Sequence, residues 1–133
     1  MKKNPHWYGL DMIPVYLELS RDQLQGTMEQ LQNLEACTGK AHVLNDSMVN
    51  RIIKVQSEQN ESTWVLLEQC SKWRQQQLSK QQLDDVTEIE NNVSNLNKTN
   101  ERVLALARYF KNRTINRILE KDDIELVFDL FKG

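Results

Sequence analysis

The sequence predicts an all-α fold: an antiparallel bundle of three long helices, followed by two short C-terminal helices and completed by dimerisation. Three observations predict it. No proline follows Pro14, and no glycine interrupts the 93 residues between Gly39 and Gly133. Gly and Pro are the strongest breakers of regular structure, so a stretch this long without them favours continuous helix. Across the same stretch apolar residues recur at alternating three- and four-residue intervals, the period of a helical seam. Finally, the hydrophobic fraction of 39% is low, and twelve Gln and twelve Asn fill much of the remainder. A chain with so few apolar residues suits an elongated shape or a shared subunit interface. The expected organisation is a single helical domain over 1–133, with residues 1–13 as an N-terminal arm packed on the bundle tip.

The first helix, 14–38, starts at Pro14, whose fixed φ suits the first helical position. Leu17, Leu24, Met28 and Leu31 fall at helical spacing, with Tyr16 and Leu34 alongside, and Gly39 is the expected C-cap. The second helix, 46–77, takes its N-cap from Asn45-Asp46-Ser47. Its seam is Val49, Ile52, Gln56, Gln59, Thr63, Leu66, Cys70 and Trp73, which is polar in the middle. Ile53, Val55, Trp64 and Leu67 lie off that seam, which marks this helix as the central one, touching two neighbours. The first helix is expected against its lower two-thirds, with Trp7-Tyr8-Gly9-Leu10 covering Trp73 at the tip.

Ser79 and Gln82 match a capping box and open the third helix, 80–113. Its seam is the clearest in the chain: Val86, Ile89, Val93, Leu96, Asn100, Val103, Ala107 and Phe110. Acidic residues at its start and basic residues at its end match the helix dipole. Thr114 and Asp122-Asp123 are expected to cap short helices over 115–120 and 123–131, the second with an apolar stripe of Ile124, Val127, Phe128 and Phe131.

Folding the second and third helices into a hairpin near Leu78-Ser79 sets Trp73 opposite Leu83 and brings Asn100 level with Gln56 and Gln59. Polar residues from two separately read seams then share one layer. A buried layer of this kind costs stability unless its members bond one another, and it serves to specify register or oligomeric state. Exposure to solvent where the hairpin splays is the alternative reading.

Function is less legible. A net charge of -2 gives no general pull toward nucleic acid or anionic membrane. Met1–Leu10 carries two lysines without an apolar core, so it does not read as a signal peptide, and no window approaches a membrane span. The expectation is a soluble, cytoplasmic protein with reduced cysteines. An intrachain Cys37–Cys70 bridge is excluded, because on a hairpin the two lie about 36 Å apart at the helical rise, against about 7 Å for a disulfide. His6 and His42 are the only histidines, and neither has a spaced partner, so no metal, cofactor or catalytic residue is expected.

The leading expectation is therefore a non-enzymatic helical interaction protein: an adaptor, chaperone-like or regulatory subunit, dimeric and with a protein partner. Its candidate specifying residues are Gln56, Gln59 and Asn100. The alternative is a nucleic-acid-binding protein that uses Arg102, Arg108, Lys111, Arg113 and Arg117, with Tyr109 and Phe110 interleaved and no acidic residue in that interval.

Overall fold

The computed structural model describes residues 6–40 and 44–114, and among them every regular element is helical. After an extended stretch ending at Gly9, a 3-10 turn over Leu10–Met12 leads directly into α1, Ile13–Ala36, with Pro14 in its first turn. Gly39 follows the helix with φ of 82°, a left-handed conformation that glycine adopts without strain. α2 spans Asp46–Arg74, and the Asn45 side chain accepts a hydrogen bond from the Met48 amide at 2.8 Å. α3 spans Lys80–Lys111 behind the full capping box: Ser79 Oγ accepts from the Gln82 amide, and Gln82 Oε1 accepts from the Ser79 amide. These caps satisfy backbone donors that a helix start otherwise leaves unpaired. The helices expected over 115–120 and 123–131 lie outside the described residues.

The three helices run up, down and up. Thr63 on α2 meets Asn97 on α3, and Arg74 meets Thr87 and Glu90, so α2 and α3 are antiparallel. Ser20 meets Asn92, while Arg21 meets Glu88, so α1 runs parallel to α3. The register of the hairpin differs from the expected one. Leu83 is exposed, and Val86, almost one turn further on, is the residue buried with Trp73.

The centre of the bundle is α3, not α2. α3 packs closely on both neighbours, whereas the backbones of α1 and α2 stand further apart. The reason lies in the side chains at each seam. All eight seam residues of α3 are fully buried, and seven of them are apolar. The α1 face that meets them carries small Ser20 and Thr27, which let the helices approach. Between α1 and α2 the long Gln59 side chain spans the gap, its Nε2 donating to Thr27 Oγ1 at 3.0 Å. The apolar residues of α2 that suggested a second packed face, Val55, Trp64 and Leu67, are exposed instead.

Two apolar cores result. The tip core holds Ile13, Leu17, Leu66, Cys70, Trp73, Val86, Ile89 and Val93. The base core holds Leu31, Leu34, Leu44, Val49, Val103, Ala107 and Phe110. Each is built where the seams of all three helices are apolar at the same level. The level between them is polar.

Candidate functional site

That intermediate level gathers residues from every helix. Thr27 comes from α1, Gln56, Gln59 and Thr63 from α2, and Asn97 and Asn100 from α3. Gln59 is half-buried and reaches Thr27, while Thr63 Oγ1 donates to Asn97 Oδ1 at 2.7 Å. Asn100 is fully buried and Gln56 is 8% exposed. Neither Nδ2 nor Oδ1 of Asn100 makes a hydrogen bond, and neither does Gln56 Oε1. A buried amide atom without a partner costs about 1–3 kcal/mol, so this level is a local weakness in a bundle otherwise well packed. Of the three residues singled out from the sequence, Gln56 and Asn100 face the interior unpartnered, and Gln59 lies nearer the surface, bonded to α1. Thr63 belonged to the polar middle of the expected seam, whereas Thr27 and Asn97 escaped the sequence reading. The signal for Thr27 was positional: it lies seven residues after Ser20, in the heptad register begun by Ile13 and Leu17 and continued by Leu31 and Leu34.

The basic residues at the end of α3 have different surroundings. Arg102 leans toward α1, its guanidinium 3.8 Å from Glu35. Arg108 and Lys111 are exposed without an ion pair among the described residues. Arg113 donates to the Tyr109 carbonyl and lies 4.0 Å over the Tyr109 ring, a cation–π contact that covers one face of the aromatic group. Phe110 is fully buried in the base core. Arg117 lies outside the described residues.

At the opposite end, the segment before α1 crosses the bundle tip. Trp73, fully buried, donates its indole N–H to the carbonyls of Tyr8 at 3.0 Å and Gly9 at 3.2 Å. Gln69 pairs with Tyr8 in both directions: its Oε1 accepts the Tyr8 amide at 2.7 Å, and its Nε2 donates to the Tyr8 carbonyl at 3.3 Å. The Tyr8, Tyr16 and Trp73 rings stand in series, with centroids 5.6 Å and then 5.5 Å apart. Burial, and secondarily the neighbouring Tyr8, raises the pKa of the Tyr16 hydroxyl.

Two open grooves lie toward the base, each of about 420 Å³. One, between α1 and α2, is lined by Gln30, Met48, Arg51, Ile52, Val55 and Gln56. The other, between α1 and α3, includes Leu31, Glu35, Arg102 and Tyr109. Neither lining contains a nucleophile beside a base. Burial, with Glu90 adding to it, pushes the Cys70 thiol up to about 12, so it stays protonated and is a poor nucleophile. Among the described residues, no three His, Cys, Asp or Glu side chains are grouped to hold a metal ion. No helix among them is long and apolar enough to cross a membrane. No protein-family model matches the chain, and neither does any curated protein or solved structure.

Proposed function

We propose that the chain is a non-enzymatic interaction protein, an adaptor or regulatory subunit of the cytoplasm, which pairs with a second copy through the groove between α1 and α2. The observation that carries this reading is the make-up of that groove. Met48 and Val55 are 46% and 47% exposed, and they flank Ile52 and the unpartnered Gln56. A second copy laid against this side supplies the apolar contact that the wide spacing of α1 and α2 leaves unmade, and it reaches the polar level through Gln56. A two-fold pair uses the same patch twice, so one groove serves both subunits. Trp64 and Leu67, exposed and three residues apart, lie on the other side of α2 and offer a separate apolar edge for a protein partner.

Sedimentation velocity tests the pairing. The unaltered chain is expected to sediment as a dimer at micromolar concentration, and Val55→Glu as a folded monomer. A folded, monomeric unaltered chain contradicts the proposal.

The alternative, nucleic-acid binding by Arg102, Arg108, Lys111, Arg113 and Arg117, has less support. Arg113 already covers the exposed Tyr109 ring, and Arg102 is turned toward Glu35. That alternative requires salt-sensitive retention on a nucleic-acid column, abolished by Arg108→Glu combined with Arg113→Glu. The interaction reading expects no retention.

A further inference from the structure

The contacts at the bundle tip share a property that the rest of the fold lacks: among the described residues, every hydrogen bond from the tip to the N-terminal segment ends on a main-chain atom. Gln69 takes the amide and carbonyl of Tyr8, and Trp73 takes the carbonyls of Tyr8 and Gly9. A side-chain amide bonded reciprocally to a backbone amide reproduces the pairing that a strand edge offers an extended peptide. Gly9 has φ of -79° and ψ of 177°, an extended backbone. The receiving groups project from α2, and Trp73 is packed into the tip core with Cys70, Val86 and Ile89. The segment, by contrast, lies at the surface, with both Tyr8 and Gly9 exposed.

We propose that the tip is a peptide-binding site built by Gln69 and Trp73, which the chain's own Tyr8–Gly9 segment fills until another peptide displaces it. The chemistry of the site defines the occupant. Once the segment leaves, the Gln69 amide and the Trp73 indole N–H are without partners at the mouth of an apolar core. An apolar surface cannot satisfy them, and an isolated anion offers no donor for Gln69 Oε1. An extended peptide supplies the N–H and both carbonyls. Its side chain at the Tyr8 position meets the Tyr16 ring, which selects an aromatic residue. The tethered segment competes at an effective concentration in the millimolar range, so a free peptide binds the unaltered chain weakly and gains when the tethered competitor is weakened. The site lies at the end of the molecule remote from the α1–α2 groove and does not depend on dimerisation.

The test uses the full chain and a fluorescent peptide with the sequence of residues 4–10. Fluorescence anisotropy is expected to show Tyr8→Ala binding this peptide at least tenfold more tightly than the unaltered chain. Adding Gln69→Leu to Tyr8→Ala is expected to abolish the binding. Equal binding by the unaltered chain and a folded Tyr8→Ala variant overturns the proposal, as does binding that survives Gln69→Leu. A second measurement needs no variant. In the unaltered chain, the Trp73 indole N–H is expected to exchange with solvent at least a hundredfold faster than the Val93 backbone amide, because the segment opens while the bundle stays folded. Equal rates for the two also overturn the proposal.

Discussion

The tip and base of this bundle are built from the same three helices, yet they close differently. At the tip, the hairpin between α2 and α3 is short and capped at Ser79. Arg74–Glu90 and Arg21–Glu88 pairs link α3 to both neighbours, and the Tyr8–Gly9 segment lies over Trp73. At the base, α1 and α2 are joined by a longer connection, and Thr114 beyond α3 donates to Asp46 at the start of α2. The two grooves lined by Val55 and by Tyr109 are on this half. The difference shows how a chain with a modest apolar fraction distributes it. Both ends keep exposed apolar side chains, Val15, Leu19 and Leu83 at the tip and Met48, Val55 and Tyr109 at the base, but those at the base line grooves beside a buried polar level. The proposed pairing belongs to that second end.

Substitutions in the two cores give the largest expected effects. Trp73→Ala removes the largest side chain of the tip core and takes one hydrogen-bond donor from each of the Tyr8 and Gly9 carbonyls. A loss of at least about 3–5 kcal/mol is expected in urea unfolding, the range for a buried aromatic cut to alanine. Phe110→Ala at the base is expected to fall within about the same 3–5 kcal/mol range. Neither residue lines the α1–α2 groove, so both variants keep the proposed pairing and both midpoints should rise with protein concentration; a midpoint independent of concentration in either contradicts the pairing.

The helix caps give a smaller test of the same contrast. Ser79→Ala at the tip and Asn45→Ala at the base are each expected to cost about 1 kcal/mol, read as a shift in denaturation midpoint. The cysteines report on opening at each end. Cys37, half-buried just past α1, is expected to react with a thiol reagent in the folded protein, and Cys70 only on unfolding.

Titration gives the smallest effects. The Cys70 pKa is raised on folding, so its contribution is fully present below the usual thiol range and is lost as pH climbs from there toward about 12. A decline in stability over that alkaline interval, absent in Cys70→Ala, is the expected result. The Glu88 carboxylate has the opposite sign. Its hydrogen bond with Arg21 holds its pKa below the ordinary carboxylate value, so that contribution is present at neutral pH and lost on acidification. Both groups of this pair are solvent-exposed, and the acid effect should be small and weaken with salt.

How much of this was readable beforehand depends on the kind of signal. The α3 seam was legible because seven of its eight positions are apolar and the period has no competitor. The Ser79–Gln82 capping box was legible because it is local. Ser20 and Thr27 were not, since small polar residues inside a seam have the same hydropathy as surface ones. Hydropathy also misplaced the centre of the bundle. Trp64, Val55 and Leu67 have the composition of a packed face, but only the spacing of α1 and α2 shows that nothing in the described chain covers them. Gln69 was beyond reach for a different reason. Its role depends on a segment some sixty residues away, a relation that leaves no trace in the periodicity of α2.

Sedimentation velocity of Asn100→Leu tests the central claim most directly, that the polar level specifies pairing at the expense of stability. Leucine keeps the branched outline of the buried asparagine and removes its two unpartnered amide atoms. The account expects a variant more resistant to urea by about 1–3 kcal/mol. It should also distribute among several oligomeric species where the unaltered chain gives one. A variant that sediments as the same single species as the unaltered chain, with stability equal or lower, would contradict it.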